Sequence, residues 1–303
     1  MKFIRMFIQL SRPLYLLLAI LLYLLGIGIG HYLSGPIDWT DFFYGLLWIV
    51  LVLLGFQYLN EYFDPAMITI NPTRKHTPFS GVTGAIGTGK LARPVALRAG
   101  LVCLAITASL TVSMIEFVGI SSTTATIMVM LFVVELFLAL PPFRLVSSGY
   151  GEVLTSVLVV GLIPALAFVL QGHDYHRILF MVAFPLTTLY IGMLLALELP
   201  DYASDITQGK RPILVRIGWQ RGMILHNLLI LISFVFLGMA FVFGLPLNVA
   251  WPVILVLPFG LFQIWQMIRI ADGVKPNWNL LVLSAISTFG LAAYILTYAF
   301  WTH

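Results

Sequence analysis

Two pairs of oxygen-bearing side chains stand at the ends of long apolar stretches of this sequence. Asn60 and Asp64 end one stretch, and Asp201 and Asp205 end another. Each pair has the spacing i, i+4, which places both side chains on one face of a helix about one turn apart. Because ionisable groups at membrane depth are costly, they usually mark a functional site. The two pairs are therefore candidate ligands for a metal ion.

Basic residues follow each pair at short range: Arg74 and Lys75 follow the first, and Lys210 and Arg211 follow the second. Magnesium takes oxygen ligands from a few side chains and completes its octahedron with water and substrate phosphate. Zinc would favour His or Cys, and neither pair contains a histidine. Carboxylates facing cations predict a metal-bridged polyphosphate site. The alternative for the basic residues is an ordinary topological role, since the positive-inside rule alone predicts basic loops here.

The elements that must position these residues are membrane helices. The chain has 303 residues, of which 60% are hydrophobic and only 9% are charged, unlike any soluble domain of that length. The apolar stretches are continuous, whereas a membrane barrel would alternate apolar and polar residues. We predict an all-α polytopic membrane protein with nine transmembrane helices in a bundle. The predicted spans are 14–32, 42–60, 95–117, 123–140, 153–170, 178–197, 223–243, 249–268 and 279–297.

The distribution of basic residues predicts the orientation of the bundle. With a cytoplasmic N-terminus, every Lys and Arg except Arg177 lies in a cytoplasmic segment. Both acidic pairs then face the cytoplasm from the inner (plasma) membrane. The formal net charge of +4 reflects this topology, so we expect no nucleic-acid partner. The single cysteine, Cys103, lies within a span and says little about the compartment.

The ends of the helices that carry the two pairs are marked by prolines. Pro65 follows Asp64 and should end the second span there, and Pro200 should break the sixth span just before Asp201. The chain forms a single domain, 1–303, in which two halves of four spans, 14–140 and 153–268, precede a ninth helix. Residues 3–10 mix apolar and basic side chains, which is typical of a helix lying at the membrane interface.

One glycine-rich segment copies the start of a phosphate-binding loop. Residues 84–90 read GAIGTGK. The pattern fails at the next residue, which is Leu91 where Ser or Thr is required, and no strand is expected before it. An ordinary glycine-rich cytoplasmic loop is the better interpretation.

The paired motifs resemble those of the UbiA superfamily of intramembrane prenyltransferases. The family's first motif has the form N-D-x-x-D-x-x-x-D, and residues 60–68 read NEYFDPAMI. Its second has the form D-x-x-x-D followed by a Gly-Lys-Arg-like turn, and the chain has DYASD at 201–205 and GKR at 209–211. Similar short stretches are RP at 12–13, TPFSG at 77–81, PPFR at 141–144 and GE at 151–152. The likeness covers nearly the whole chain.

The chain departs from the family's first motif at two positions. Glu61 stands where the family has Asp, which is a mild change, and Ile68 replaces the last Asp, which removes a possible ligand. The number of metal ions therefore stays open. The order of residues in this region is closest to the 1,4-dihydroxy-2-naphthoate polyprenyltransferase branch.

The resemblance implies a site under a cytoplasmic cap, at one end of a central cavity that opens sideways to lipid. It assigns Mg²⁺ to Asn60, Asp64, Asp201 and Asp205. It assigns the diphosphate of a polyprenyl donor to the cations Arg74, Lys75, Arg144, Lys210 and Arg211. Asp64, Asp201 and Lys210 are the expected catalytic residues. Glu198, one turn before Asp201, could add negative charge, and Glu135 is expected to be hydrogen-bonded inside the bundle.

The expected activity is Mg²⁺-dependent transfer of a polyprenyl group to an aromatic acceptor, with 1,4-dihydroxy-2-naphthoate in menaquinone biosynthesis as the leading choice. Other acceptors in the family are a hydroxybenzoate, a tetrapyrrole or a glycerol phosphate lipid. A different class, a cation-coupled secondary transporter, also uses paired carboxylates and broken helices. A transporter needs its carboxylates near the membrane midplane, whereas all four ligand candidates here fall at one face.

Overall fold

The computed structural model describes residues 2–64, 83–86 and 90–303. Within these ranges every regular element is helical, and nine helices are long and apolar enough to cross a membrane. The predicted class and span number are thus confirmed for the part of the chain described. Pro65, Ile68, Arg74 and Lys75 lie outside it. The cytoplasmic N-terminus and the division into halves 14–140 and 153–268 stay predictions.

The α-helices are numbered in chain order. They are α1 Lys2–Leu10, α2 Pro13–Ser34, α3 Trp39–Phe63, α4 Arg93–Phe117, α5 Ser122–Ala139, α6 Gly151–Ser156, α7 Ile163–Leu170, α8 Arg177–Glu198, α9 Tyr202–Thr207, α10 Ile213–Ile217, α11 Trp219–Val242, α12 Leu247–Ala250, α13 Leu257–Ala271 and α14 Trp278–Thr302. Two of the nine spans are composite. A π-helical stretch, Val157–Leu162, joins α6 to α7, and a 3₁₀ stretch, Trp251–Val256, joins α12 to α13.

The core lies among α2, α3, α7, α8 and α14. Helix α2 packs against α7 and α14, and α8 packs against α14 and α11. Helices α2 and α7 approach each other closely at Gly26, where an added Cβ would lie 2.2 Å from the carbonyl oxygen of Pro164. Only glycine fits there. Helices α4 and α11 are the least buried spans, so they form the outer surface expected to face lipid.

Helix α1 forms as the sequence predicts and lies against the start of the bundle. Leu10 is fully buried, while Phe3, Ile4 and Ile8 are exposed. Ser11, just after α1, shares a 2.6 Å hydrogen bond with the hydroxyl of Tyr58 on α3. The apolar face of α1 is therefore available to a lipid surface near the end of α3 that carries the first acidic pair.

Candidate active site

A cavity of about 240 Å³ lies between α2, α3, α5, α6 and α8. Its walls differ in chemistry from one part to another. Side chains of both acidic pairs line it together with Arg144 and Lys210. Apolar residues line the rest, among them Leu53, Phe56, Leu138, Val159 and Leu194. We call the polar part, formed by Asn60, Asp64, Asp201, Asp205, Arg144 and Lys210, the acidic end.

The first acidic pair lies where α3 ends. Asp64 is the first residue beyond the helix and has an extended backbone, with φ −68° and ψ 118°. This conformation is the one that a residue preceding a proline favours, which agrees with Pro65 in the sequence. Asp64 is only 6% exposed. Its Oδ2 lies 3.0 Å from Nζ of Lys210 and 3.9 Å from a guanidinium nitrogen of Arg144.

The second acidic pair lies just beyond α8. The α-helix ends at Glu198, a 3₁₀ turn covers Leu199–Asp201, and α9 follows with Asp205 in its first turn. Pro200 interrupts the regular hydrogen-bond pattern at this point, as the sequence predicts. Asp201 and Asp205 are 7% and 8% exposed, and both line the cavity with Asp64. The two pairs, far apart in sequence, thus meet at one end of the bundle.

A helix-ending turn brings Lys210 to the acidic end. Gly209 has a left-handed backbone with φ +70°, its N–H donates to Ile206 O at 3.2 Å, and the N–H of Lys210 donates to Asp205 O at 3.0 Å. These two bonds are those of a Schellman motif, which ends a helix on a left-handed residue that is usually glycine. The turn reverses the chain, so that Lys210 points back toward Asp64.

The side chain of Arg211, in contrast, does not enter the cavity wall. Its backbone forms a parallel bridge with Ser148, and its N–H donates to Ser147 O at 3.0 Å. Successive side chains of an extended segment point to opposite sides. Because Lys210 points inward, Arg211 points outward and is exposed. The structure therefore brings one of the two predicted cations into the site and leaves the other outside.

Two arginines of the cavity wall have an unusual backbone. Arg12 has φ 45° and Arg144 has φ 40°, a left-handed region that non-glycine residues rarely adopt and that costs about 1–3 kcal/mol. Arg144 donates to Asn60 Oδ1 at 3.5 Å, besides its contact with Asp64. Burial lowers the pKa of Arg144, while the neighbouring Asp64 acts to raise it. Such strained residues cluster at functional sites, which supports the assignment of Arg144 to substrate binding.

Glu61, the residue that differs from the family's motif, points away from the cavity. It is 2% exposed, accepts from the backbone N–H of Thr83 at 3.3 Å and from the Thr83 hydroxyl, and pairs with Arg12 at 3.2 Å. It thus ties the end of α3 to the start of α2 and to a short segment of the following loop. Glu61 therefore serves a structural contact and is not part of the acidic end.

Further polar residues line the cavity without having been assigned to metal or diphosphate binding, although the sequence already draws attention to Glu135 and Glu198. Among them are Arg12, Tyr15, Gln57, Glu135, Glu152 and Glu198. Glu152, an acid directly before the apolar stretch 153–170, is the residue that the same signal, an acid beside an apolar stretch, could also have found. Glu135 was expected to be hydrogen-bonded inside the bundle. This expectation is wrong within the described part of the chain, where the Glu135 side chain lines the cavity and has no hydrogen-bond partner.

The acidic end fits a metal ion that is only partly coordinated by protein. Its ligand candidates are all oxygens, which suits magnesium. In the part of the chain described, no three His, Cys, Asp or Glu side chains converge closely enough to hold an ion alone. Magnesium usually binds through one or two carboxylates, with water and substrate phosphate completing the shell, so the set Asn60, Asp64, Asp201 and Asp205 fits the ion together with a diphosphate.

The glycine-rich segment has no phosphate-binding geometry in its described residues. Nζ of Lys90 donates to Gly84 O at 2.6 Å, so the lysine turns back on its own loop. Ile86 forms only an isolated bridge with Leu91. Residues 87–89 lie outside the description. The interpretation as an ordinary loop agrees with these contacts.

Comparison with known proteins identifies the fold and the family. The chain is similar to a UbiA homolog from Archaeoglobus fulgidus bound to DMAPP and Mg²⁺, with a TM-score of 0.72, 16% identity and coverage of 99% of this chain and 98% of that one. The same homolog bound to GPP and Mg²⁺ gives 0.72 and 16%, covering 98% and 100%.

A structure of digeranylgeranylglyceryl phosphate synthase is also similar, with a TM-score of 0.63, 15% identity and coverage of 99% of this chain and 98% of that one. No curated protein matches the sequence significantly. The model of the UbiA prenyltransferase family matches residues 19–286, which include both acidic pairs. The chain therefore belongs to the UbiA prenyltransferase family.

Proposed function

We propose that this protein transfers a polyprenyl group from its diphosphate to an aromatic acceptor, with Mg²⁺ held at the acidic end. One observation carries the proposal: a single cavity joins an acidic, cation-lined end to an apolar wall. A prenyl diphosphate has the same division, with a charged head and an apolar chain. The similar Archaeoglobus homolog binds DMAPP and GPP with Mg²⁺, which supports this choice of donor.

Each group at the acidic end has a role in breaking the allylic C–O bond. Asn60, Asp64, Asp201 and Asp205 would hold Mg²⁺, which when bound stabilises negative charge on the leaving diphosphate. Lys210 and Arg144, each within 4 Å of Asp64, lie where they can neutralise the same charge. Arg74 and Lys75 are proposed to act with them. The apolar wall excludes water and so protects the allylic cation until the acceptor attacks.

For the acceptor we propose 1,4-dihydroxy-2-naphthoate, which would place the enzyme in menaquinone biosynthesis. The support is the resemblance of residues 60–64, NEYFD, and 78–81, PFSG, to that branch. The proposed location is the inner (plasma) membrane with the acidic end on the cytoplasmic side, because the basic loops predict that orientation. A cavity open to lipid on one side would let a long prenyl tail stay in the bilayer.

A second candidate acceptor is a glycerol phosphate lipid. The similarity to digeranylgeranylglyceryl phosphate synthase favours it. The acidic lining of the cavity favours the aromatic acceptor instead, because Glu135, Glu152 and Glu198 line the cavity in addition to the acidic pairs. A phosphate-bearing acceptor would add further negative charge. The transporter alternative finds no support, because the acidic pairs lie at one end of the bundle.

A panel of acceptors tests the proposal. Membranes containing the protein are incubated with geranylgeranyl or longer diphosphates, Mg²⁺ and each acceptor in turn, and products are identified by mass spectrometry. Prenylated naphthoquinol from 1,4-dihydroxy-2-naphthoate is the expected product. A prenyl ether of glycerol phosphate as the main product would replace the first candidate with the second.

A further inference from the structure

Glu152 and Glu198 line the same cavity as the acidic end, yet neither belongs to the two ligand pairs. Glu152 is the second residue of α6, and Glu198 is the last residue of α8. Their carboxyl groups neighbour each other where these helices pack together. Both residues face the space in which the two substrates would meet. A role for them in handling the acceptor rests on the proposed function and extends it.

One oxygen of each carboxyl group is buried without a hydrogen-bond partner among the described residues. Glu152 is 5% exposed, and its Oε1 accepts from the backbone N–H of Ile213 at 2.9 Å. Its Oε2 accepts from no donor, and the same holds for Oε2 of Glu198. Leaving a buried acceptor unpaired is costly, so each such atom requires an explanation.

A shared proton explains both atoms. Two carboxyl groups side by side in a buried site repel each other strongly when both are charged, so an arrangement in which they share one proton is favoured. One proton held between the two groups gives each of them a hydrogen bond. A pair of this kind has an ionised member that can accept a proton and a protonated member that can donate one.

The carboxylates of the acidic end are poorly placed for the same task. Asp64 contacts Lys210 and Arg144, and it would also hold the metal ion. If one of these carboxylates acted as the base, it would stop holding the metal ion each time it took up a proton. Glu152 is fixed by Ile213 N–H through one oxygen and keeps the other for a partner in the cavity.

We propose that the Glu152–Glu198 pair hydrogen-bonds a hydroxyl group of the acceptor and takes its proton as the ring carbon attacks the prenyl group. The acceptor's O–H bond breaks, its proton moves to the ionised carboxylate, and its electron pair moves into the ring. A bond forms between the ring carbon and the first prenyl carbon, while the allylic C–O bond breaks and the diphosphate leaves with that electron pair.

The proton then returns. The ring carbon that now bears the prenyl group also bears the acceptor's carboxylate, which leaves as CO₂; the electrons of that C–C bond restore the aromatic ring and leave negative charge on the oxygen. The pair gives its proton back to this oxygen. No other acid, base or redox partner is needed, and the pair ends in its initial state. The ligand chemistry assigned to the pair is therefore an aromatic hydroxyl group.

Glu152→Gln tests the assignment, because glutamine keeps an oxygen for the N–H of Ile213 and removes the charge. Binding of 1,4-dihydroxy-2-naphthoate and of its two monomethyl ethers is measured by calorimetry on the full-length protein in nanodiscs, without donor. The wild type should bind one ether about ten- to a hundredfold more weakly than 1,4-dihydroxy-2-naphthoate itself, because the ether lacks one charge-assisted hydrogen bond. We call this ratio of dissociation constants the ether ratio. In Glu152→Gln the ether ratio should fall below about three, because the charged acceptor of that hydrogen bond is gone.

Three further measurements separate this role from a structural one. Glu198→Gln, which leaves the contact with Ile213 intact, should reduce the ratio in the same way even where Glu152→Gln fails to fold. Glu116→Gln, an exposed acid near the end of α4, is the matched control and should keep the wild-type ratio. Binding of inorganic pyrophosphate with Mg²⁺ should be unchanged in all variants, while turnover of Glu152→Gln falls by about a hundredfold or more.

An unchanged ether ratio in both Gln variants would overturn the assignment. An equal reduction in Glu135→Gln would overturn it as well, because the effect would then come from the summed charge of the cavity. If the wild type binds pyrophosphate but no aromatic acceptor, the proposed acceptor class is wrong and the role of the pair falls with it.

Discussion

Replacing Lys210 with glutamine tests whether the cation at the acidic end binds the donor diphosphate. Its Nζ lies 3.0 Å from Asp64 Oδ2, and its side chain is 14% exposed. At that separation two unit charges attract by about 5.5 kcal/mol for an effective dielectric constant of about 20, before the cost of dehydrating them. The net value of a hydrogen bond to a charged group is about 1.5–3 kcal/mol. We therefore expect the donor KM to rise by about 10- to 150-fold.

Two other cations outside the cavity wall serve as controls for Lys210→Gln. Arg211 is the next residue, but its side chain is exposed and outside the cavity wall. Arg269 lies on α13 over the ring of Trp265. Neutralising either should change the donor KM by less than about twofold, and the acceptor KM should be unchanged in all three variants.

The assay measures initial rates of product formation against donor concentration, at saturating acceptor and Mg²⁺. Membrane orientation is checked in parallel, because topology depends on the summed charge of the loops. Equal small effects in the three variants would contradict a diphosphate contact and would assign Lys210 to orientation alone.

Three further variants test other parts of the structure. Asp64→Ala and Asp201→Ala should each lower turnover by at least about a hundredfold, as expected when a main electrostatic stabiliser is lost; near-normal rates in folded protein would exclude the acidic end as the site. Gly209→Ala should raise the donor KM several-fold, because a left-handed alanine costs about 1 kcal/mol and disturbs the turn before the lysine; an unchanged KM would show that the turn is not needed. Gln263→Leu leaves the buried His226 without its 3.1 Å partner and should destabilise the protein by about 1–3 kcal/mol, seen as a lower midpoint of thermal unfolding; an unchanged midpoint would show that this contact is dispensable.

The membrane spans, the helix ends at the site and the acidic pairs could be predicted from the sequence, because these features depend on local rules. Hydropathy located the spans, and Pro65 and Pro200 located the helix ends that carry Asp64 and Asp201. The i, i+4 spacing predicts that each acidic pair shares one helix face, and in the structure both pairs line one cavity, although Asp64 lies just beyond the end of α3. The family named by resemblance agrees with the family model that matches residues 19–286.

The remaining features depend on contacts between distant segments, which spacing does not encode. The bridge between Arg211 and Ser148 turns one cation outward, although Lys210 and Arg211 look equivalent in sequence. Glu152 and Glu198 become neighbours only through the packing of α6 against α8. Glu61, next to a ligand candidate, points elsewhere because Arg12 and Thr83 hold it.

The acidic end is proposed to hold Mg²⁺ and the diphosphate of a prenyl donor during transfer. The most direct test is the rate of prenylated product formation by purified protein supplied with a polyprenyl diphosphate and 1,4-dihydroxy-2-naphthoate, with Mg²⁺ or with excess EDTA. Carboxylates alone repel a diphosphate, so we predict product with Mg²⁺, none with EDTA, and full recovery when Mg²⁺ is restored. Full turnover in excess EDTA would contradict a metal-held diphosphate.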